Sequence, residues 1–353
     1  MIDQPIMFWN LERLFTTNSH IEAALEGGEA PTRTSEDLSL RLEILGAVLN
    51  AVRVSHGVPA LVGLAEVETA GLIRRLIRAS GLGLESVEGQ AEDEAGIPLE
   101  GLDVGLLYDP TVFSPPARIR SHVLDRTFDT RDVFEVDLPL RGSDVIVKVI
   151  VCHWPSRLSL ESAERRVSAG YYCRQITLDW LRYPARETWD PERRRLVLPT
   201  TAELNARGQR PLVIMGDFND EPFDRSVEVL EATPDLPEVM VEVRRGGRSL
   251  RDRYAAYNAW TPRLWNAFWG LVGGPAGTYY RSPRWRVYDQ VLVSRGAAEL
   301  FGPRKALTVS PATVVVDGRQ ARLTSLDGYP LSFDSSKPRG ASDHLPVALV
   351  KAD

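Results

Sequence analysis

LVIMGDFND, residues 212–220, carries the strongest indication of the fold. Its apolar run predicts a buried β-strand that ends at a carboxylate, Asp217, and the amide of Asn219 follows two residues later. In α/β proteins, residues that do chemistry lie at the carboxyl ends of strands, because the sheet holds them rigidly beside a crevice. Carboxylate and amide oxygens suit Mg²⁺ or Mn²⁺ better than zinc. Taken alone, the stretch is equally typical of an Asx-rich turn that closes a strand.

Other predicted strands also end or begin at isolated polar residues. These residues are Asn10 and Glu12 after PIMFW, Glu66 after ALVGLA, His153 after VIVKVIVC, Asp289 before QVLVS, and Asp343 with His344 before LPVALV. A site for a metal ion and a phosphate on the rim of a sheet needs such a set of polar residues from several strands. The repeated pattern therefore favours one site over a series of unrelated turns.

This ordered set of Asn, Glu, His, Asp, Asn and a final Asp-His pair resembles the endonuclease/exonuclease/phosphatase family, the deoxyribonuclease-I-like metal-dependent phosphoesterases. The resemblance extends from about Phe8 to Val350, and GDFN followed by SDH is a specific combination of motifs. Strand–helix alternation alone indicates only the α/β class. The resemblance implies a four-layer α/β sandwich of two packed mixed β-sheets flanked by helices. We expect residues 1–353 to form a single domain of this type, because motifs from both ends of the chain contribute to one site.

Apolar periodicity predicts the main elements. Helices are predicted at 35–55, with Thr34 or Ser35 as the N-cap, at 72–80, and from about Leu160 to Leu181. Besides the motif strands, further strands are predicted at 102–109, 133–140 and 144–153. Residues 183–207 and 248–285 show no clear period, and we expect irregular connections there.

The resemblance implies the metal ligands. They are Asn10, Glu66, Asp217, Asn219, Asp343 and His344, for Mg²⁺ or Mn²⁺. Glu66 matches the principal metal ligand of the family, with Asp343 as a second ligand and Asn10 acting through water or phosphate. Asp217 and Asn219 are also expected to be catalytic, since they hold a second metal ion or orient the attacking water.

Proton transfer is assigned to two histidines. Phosphodiester cleavage needs an activated water, stabilised charge on the phosphoryl oxygens and a protonated leaving oxygen. His153 and His344 form the predicted pair, because imidazole titrates near neutrality. Asp289 matches the position where family members orient a histidine through a carboxylate–imidazole bond, and we expect His153 to be its partner. Asp343 is an alternative to Asp289 in this role.

Three residues are predicted to contact the substrate. Arg157, in HWPSR, is placed to bind a phosphate bidentately. Tyr280 and Arg281 follow a Gly-rich turn in the aromatic segment 256–285. Aromatic side chains there can stack on a base; the alternative is packing of this segment on its own domain or on a second subunit.

Composition bounds the class of protein. A hydrophobic fraction of 43% and a charged fraction of 25% fit a globular protein with a sizeable core. The net charge of −6 argues against a strongly basic surface for non-specific binding of nucleic acid. No stretch approaches the ~20 apolar residues of a membrane span, and MIDQPIMFWNLERLF lacks the features of a signal peptide. We therefore expect a cytoplasmic protein without stable membrane insertion.

The sequence thus predicts metal-dependent hydrolysis of phosphoester bonds by a phosphodiesterase or a nuclease, endonucleolytic or exonucleolytic. A phosphatase, or a phospholipase-like diesterase acting on a small-molecule or lipid phosphate, is the alternative, and the acidic net charge gives it weight. A catalytically inactive homologue that serves as a binding domain is the alternative of another class. The expected partner is a phosphoester substrate, with nucleic acid as one candidate, and no protein partner is implied.

Overall fold

Two large mixed β-sheets lie at the centre of the structure, which is a computed structural model of the chain. The structure describes residues 1–17, 19, 22, 34–89, 103–122, 124, 133–157, 162–182, 189–190, 192, 194–243, 249–337 and 339–352. The strands are β1 (Ile6–Leu14), β2 (Leu61–Val67), β3 (Glu85–Gly89), β4 (Asp103–Tyr108), β5 (Arg118–His122), β6 (Val133–Pro139), β7 (Ile146–His153), β8 (Trp189–Asp190), β9 (Arg195–Leu196), β10 (Leu212–Asp217), β11 (Ala232–Thr233), β12 (Leu264–Asn266), β13 (Tyr279–Arg281), β14 (Arg284–Arg286), β15 (Asp289–Val293), β16 (Arg304–Thr308), β17 (Thr313–Val316), β18 (Arg319–Arg322) and β19 (Val347–Lys351). The α-helices are α1 (Ser35–His56), α2 (Ala70–Ser80), α3 (Ser162–Leu181), α4 (Thr201–Gly208), α5 (Arg225–Glu228), α6 (Leu236–Val239), α7 (Leu250–Ala259) and α8 (Arg295–Phe301), and a 3₁₀-helix spans Ala267–Leu271.

The two sheets pack face to face, and helices cover their outer faces. The first sheet has the strand order β16-β19-β1-β2-β4-β3, and the second has the order β11-β12-β15-β10-β7-β6-β5. Both are mixed, because β1 pairs in parallel with β2 and antiparallel with β19, and β10 pairs in parallel with β7 and antiparallel with β15. Apolar residues of α1 and α2 pack on the first sheet, and those of α3 pack on the second. The predicted four-layer α/β sandwich is confirmed.

Strand β10 shows why the central strands are apolar on both faces. Val213 and Met215 lie in the core between the two sheets, whereas Leu212 and Ile214 lie in the core beneath α3. Side chains alternate between the faces of a strand, so a strand that is covered on both sides needs consecutive apolar residues. The run LVIM meets this requirement up to the point where Asp217 ends the strand.

The helices begin and end close to the predicted positions. Reciprocal hydrogen bonds between Thr34 and Asp37 form a capping box at the start of α1. α2 begins two residues earlier than predicted, because the side chain of Thr69 caps it. The predicted start of α3 near Leu160 lies outside the described residues. Within the described part of the chain, no helix combines the length and the apolar composition that a bilayer span requires.

The expectation of an irregular structure is wrong for residues 248–285. This segment contains α7, the 3₁₀-helix and strands β12 and β13, and β14 begins at its end. These elements are 3 to 10 residues long, so their apolar periods are too short to stand out in the sequence. In the other segment, 183–207, α4 begins at Thr201; its residues 183–188, 191 and 193 lie outside the described ones.

Gly216 in β10 lies close to the backbone of the neighbouring strand β7. A Cβ atom added at Gly216 would lie 2.3 Å from the carbonyl oxygen of Cys152 in β7. Because backbone atoms can yield only if the strands separate, we expect Gly216→Ala to lower the free energy of unfolding by about 1–3 kcal/mol. Urea unfolding followed by circular dichroism measures this change.

Gly71→Ala in α2 is the matched control. Its added Cβ atom meets its nearest neighbour at 3.6 Å, an ordinary contact, and alanine favours the helix, so no loss of stability is expected. Equal stability of the Gly216→Ala variant and the parent would contradict the close packing of β7 on β10.

Candidate active site

Three neighbouring strands of the second sheet carry His153, Asp217 and Asp289 side by side. His153, the last residue of β7, pairs with Asp217, the last residue of β10. Asp217 pairs in turn with Asp289, the first residue of β15. Paired residues of neighbouring strands direct their side chains to the same face, and these three residues are 1%, 2% and 0% exposed. The strand register therefore forms a buried row of one imidazole and two carboxylates.

The first sheet supplies the residues that face this row. Asn10 lies in β1 and is buried, and Glu66 lies near the end of β2, where its pairing with β4 shifts register. Such irregularities redirect side chains at strand ends, and Glu66 has a φ of 63°. Asp343 and His344 precede β19 of the same sheet, and His344 is buried.

One oxygen atom, Oδ2 of Asp217, lies at the centre of these groups. The side-chain Nδ2 of Asn10 donates a hydrogen bond to it over 3.0 Å. Nε2 of His153 lies 3.6 Å from this oxygen, and Nε2 of His344 lies 3.8 Å from it. The other oxygen, Oδ1, accepts a 2.8 Å hydrogen bond from the backbone N–H of Asn219. Two imidazoles, one from each half of the sandwich, therefore face one carboxylate whose orientation is fixed.

The structure assigns Asp289 to His344 and thereby corrects the expected pairing with His153. Oδ2 of Asp289 lies 2.8 Å from Nδ1 of His344. Nε2 of His153 lies instead 3.5 Å from Oε1 of Glu66 and 3.6 Å from Oδ2 of Asp217. The physical reason is the strand order, because β10 separates β7 from β15 and places Asp217 between His153 and Asp289.

The chain after Asn10 adopts a strained backbone conformation, and a backbone N–H of this turn holds the side chain of Glu66 in place. Glu12 and Arg13 have φ values of 52° and 53°, and such conformations cost free energy that the surroundings must offset. The guanidinium of Arg41 donates to the carbonyl oxygens of Glu12 and Arg13 at 2.5 and 3.2 Å. The backbone N–H of Arg13 donates to Oε2 of Glu66 over 2.8 Å, and that of Glu12 donates to Oδ1 of Asn10 over 2.9 Å. The strained turn thus orients two predicted metal ligands.

Arg157 and Asn219 are joined in the turn after β10. Nε of Arg157 donates to the carbonyl oxygen of Asn219 over 2.7 Å, and its guanidinium forms ion pairs with Asp220, at 2.6 Å, and with Asp224. Nδ2 of Asn219 donates to the carbonyl oxygen of Trp154 over 3.0 Å. Arg157 therefore stabilises the GDFND turn in this structure. Its contact with a phosphate stays a prediction.

The hairpin formed by β13 and β14 borders the site. Tyr279 forms a β-bridge with His344, and their rings lie 4.6 Å apart between centroids. The sequence did not single out Tyr279, although its neighbours Tyr280 and Arg281 were predicted to contact the substrate. The ring of Tyr280 stacks on Tyr329, and Arg281 is exposed.

Burial and neighbouring charges shift the proton affinities of the central residues. Burial, followed by the charge of Asp289, raises the pKa of Asp217 to about 7, although the charge of His344 opposes this change. Burial alone lowers the pKa of His344, but the carboxylates of Asp289 and Asp217 raise this pKa well above its usual value. Asp217 therefore titrates near neutral pH, and His344 retains its proton over a wide range.

A second group of carboxylates shows the same accumulation of negative charge. Burial and the charge of Asp343 raise the pKa of Glu12 to about 7. Burial, Glu66 and Asp289 raise the pKa of Asp343, against the lowering effect of His344. Mutual repulsion of this kind is relieved when a bound cation becomes the largest local charge.

The arrangement fits a divalent cation. Asp217, Asp289 and His344 each offer a ligand atom within 4.8 Å of the other two, and Oδ1 of Asp289 is buried without a hydrogen-bond partner. A buried carboxylate oxygen without a partner is costly, and a cation would satisfy it. Oxygen atoms together with imidazole are a usual ligand set for divalent ions. Asp289 was not among the predicted ligands, because its position opposite Asp217 depends on a strand pairing that no local motif indicates.

Comparison with known proteins identifies the family. The sequence model of the Endonuclease/Exonuclease/phosphatase family matches residues 5–187, slightly more than half of the chain. The protein therefore belongs to this family, whose members are hydrolases that act on phosphoesters. A search among curated protein sequences gives no significant match.

Solved structures share the fold at low sequence identity. An endonuclease/exonuclease/phosphatase family protein from Bacteroides thetaiotaomicron gives a TM-score of 0.53 at 12% identity, with 98% of this chain and 93% of that chain covered. A mannosyl-6-phosphatase from the same organism gives 0.52 at 10% identity, with 98% of each chain covered. TDP2 of D. rerio, humanized by 14 mutations, gives 0.50 at 12% identity, with 98% of this chain and 97% of that chain covered. At such identities the similarity establishes the fold, and the chemistry must be argued from the site.

Metal binding should become tighter with rising pH. A carboxylate must lose its proton to bind a cation, and the pKa of Asp217 is about 7 without a metal ion. We therefore expect the affinity for Mn²⁺ to rise by up to about tenfold per pH unit below that pKa and to level off above it. Calorimetric titration between about pH 6 and about pH 8, in two buffers of different ionisation enthalpy, measures both the affinity and the protons released. The Asp217→Asn protein is the control, since its affinity should depend less on pH, and a pH-independent affinity of the parent would contradict the assignment.

Proposed function

We propose that this protein is a phosphodiesterase that depends on Mg²⁺ or Mn²⁺, with short or single-stranded nucleic acid as the leading substrate class. One observation carries the proposal: Nε2 of His153 and Nε2 of His344 lie 3.6 and 3.8 Å from the same oxygen of Asp217. Hydrolysis of a diester needs a base for the water and an acid for the leaving oxygen, and these groups supply both. Membership in a family of phosphoesterases supports the type of bond.

Asp217 is the proposed base. Its pKa of about 7 lies near the working pH, where a general base is most effective. The backbone N–H of Asn219 engages Oδ1, and Oδ2 accepts from Asn10 but keeps a second lone pair, with which it orients the water and takes its proton.

His344 is the proposed acid, and Asp289 is its positioning residue. Because Asp289 binds Nδ1, the imidazole presents Nε2 to the substrate and remains protonated. His153 complements it from the other side by donating a hydrogen bond to a phosphoryl oxygen. The proton that Asp217 takes from the water is thus balanced by the proton that His344 gives to the leaving oxygen.

The proposed metal ligands are the carboxylates of Glu66 and Asp343 from the first sheet, and Asp217, Asn219 and the unpartnered Oδ1 of Asp289 from the second. His344 is left out of this set, because an imidazole that keeps both ring protons has no lone pair for a cation. A bound divalent cation would offset their charge and stabilise the charge that develops on the phosphoryl oxygens. Asn10 is better placed as a hydrogen-bond donor than as an oxygen ligand, because its Oδ1 accepts from a backbone N–H while its Nδ2 faces Glu66 and Asp217.

Removal of the imidazole of His153 or the carboxylate of Asp217 should strongly lower turnover without unfolding the protein. We expect Asp217→Ala to lower kcat by about 10²–10⁴-fold, the usual contribution of a positioned acid or base. His153→Ala should lower kcat by about 10²–10³-fold, the usual cost of losing a donor to a charged oxygen of the transition state. Circular dichroism should show native secondary structure in both variants. His56→Ala, at the end of α1, is the matched histidine control and should keep the parent rate; full activity of either site variant would disprove this site.

A pair of simple esters distinguishes the two enzyme classes. The diester bis-(p-nitrophenyl) phosphate and the monoester p-nitrophenyl phosphate are compared with Mg²⁺, with Mn²⁺ and with EDTA. We expect hydrolysis of the diester that depends on the metal ion and is lost in the Asp217→Ala protein. Preference for the monoester would instead favour a phosphatase, and metal binding without turnover of either ester would favour a binding homologue.

The charge of Asp289 should set the upper pH limit of activity. Asp289→Asn keeps the shape of the side chain but removes a carboxylate that raises the pKa of His344. The ring then loses its proton at a lower pH, so we expect the alkaline limb of the profile of kcat against pH to move to lower pH, together with at least about a tenfold loss of kcat. A variant with reduced kcat and an unchanged profile would indicate a structural role only.

A further inference from the structure

The hairpin of β13 and β14 is attached directly to the segment that carries His344. Tyr279 forms a β-bridge with His344, and the backbone N–H of Leu345 donates to the carbonyl oxygen of Thr278 over 2.8 Å. The hairpin is a two-stranded sheet of its own and extends from the rim of the site. Its position relative to His344 is therefore fixed by backbone hydrogen bonds.

The two faces of this hairpin differ in chemistry. Tyr279 pairs with Arg286, and Arg281 pairs with Arg284. Since side chains alternate along a strand, these four residues share the face on which the ring of Tyr279 meets His344. This arginine face lies on the side of the hairpin that borders the active site.

The opposite face is packed with aromatic rings. The ring of Tyr280 stacks on Tyr329, with centroids 3.7 Å apart and an interplanar angle of 15°, and meets Trp285 edge-on at 5.3 Å. These contacts hold the hairpin against the chain around residue 329, so the rings of Tyr280 and Trp285 serve to support it. The arginine face is thus presented on a fixed element, which reduces the entropy lost on binding.

Arg281 and Arg284 lie directly opposite each other on the arginine face, and their positive charges are not balanced by an ion pair among the residues that the structure describes. YYRSPRWR (279–286) contains three arginines and no acidic residue, in a chain with a net charge of −6. Arg286 lies 3.5 Å from a carboxylate oxygen of Glu221, but within the described part of the chain neither Arg281 nor Arg284 forms an ion pair. Like charges directly opposite each other destabilise a strand pair, and an anion bound between them would reverse this effect.

We propose that Arg281 and Arg284 form a subsite for a second phosphate group of the substrate, one that flanks the phosphate being hydrolysed. The inference rests on the proposed phosphodiesterase function of the adjacent site. Such a subsite makes the enzyme selective for substrates with two or more phosphates. A nucleic-acid strand fits this arrangement, because its successive phosphates can contact His344 and the arginine face at the same time. A small molecule with two phosphates shares this chemistry.

Two matched pairs of ligands test the subsite. The first pair is the dinucleotide TpT and its 5′-phosphorylated form pTpT; the second is glycerophosphoinositol and its 4-phosphate. Equilibrium binding is measured on the Asp217→Ala protein, in which turnover is removed, and KM and kcat are measured on the active protein. We expect the parent protein to prefer the doubly phosphorylated member of one pair by about tenfold or more, as a charge-assisted contact provides. A preference within the dinucleotide pair would assign the second phosphate to a nucleic-acid strand, and a preference within the inositol pair would assign it to a small molecule.

The double variant Arg281→Ala/Arg284→Ala should lose this preference, because KM rises and binding weakens more for the doubly phosphorylated ligand than for its singly phosphorylated partner. The matched control is Arg319→Ala/Arg322→Ala, which removes two exposed arginines from the β17–β18 hairpin and should keep the preference. Arg281→Lys/Arg284→Lys should retain part of it, since lysine keeps the charge without the bidentate geometry. The preference should also shrink with rising salt concentration.

Three results would overturn the subsite: no preference within either pair, a preference that survives in the double alanine variant, or an equal loss in the β18 control. Failure of the parent to hydrolyse any diester would overturn the proposed function instead. The binding measurements on the Asp217→Ala protein would in that case still decide whether the arginine pair recognises a second phosphate.

Discussion

The side-chain amide of Asn10 joins the two sheets at the site, and the other groups are positioned around it. Its Nδ2 donates to Glu66 in the first sheet over 3.2 Å and to Asp217 in the second sheet over 3.0 Å. Its backbone carbonyl accepts a 2.7 Å hydrogen bond from Ser342, directly before Asp343 and His344. Because Asn10 lies in a central strand covered by both cores, it cannot move without disturbing them. One buried amide thus sets the distances among carboxylates that would otherwise repel each other.

Those carboxylates make the site unfavourable for the folded protein in the absence of a cation. The raised pKa values of Glu12, Asp217 and Asp343 all follow first from burial and then from neighbouring negative charges. The left-handed backbone at Glu12 and Glu66 adds strain at the same place. The apolar cores on both faces of each sheet offset these costs. An ion that binds only the folded state would therefore stabilise it as well as enable the chemistry.

The sequence predicts the parts of the site that depend on local pattern. The strand before Asp217 is recognisable because a run of apolar residues ends abruptly in a polar turn, and α1 is recognisable from its period and its cap. The partner of Asp289 is not predictable in this way. It depends on the antiparallel pairing of β15 with β10 and on the path of the chain before β19, and both bring together residues far apart in sequence. For the same reason the sequence suggests a phosphate contact for Arg157, whereas the ion pairs that engage it come from the fold of the GDFND turn.

The proposed reaction and the proposed selectivity depend on different parts of this architecture. The proposed reacting groups lie at or beside the ends of strands of the two large sheets, where burial fixes their positions and shifts their proton affinities. The β13–β14 hairpin belongs to neither sheet and contributes no group to the central cluster, yet its bridge to His344 ties its arginine face to the reacting atoms. A substitution at Arg281 or Arg284 therefore changes only exposed charge, whereas a change at Asp217 alters the buried cluster. Under this division, the buried cluster can keep one reaction while a peripheral hairpin selects the phosphoester.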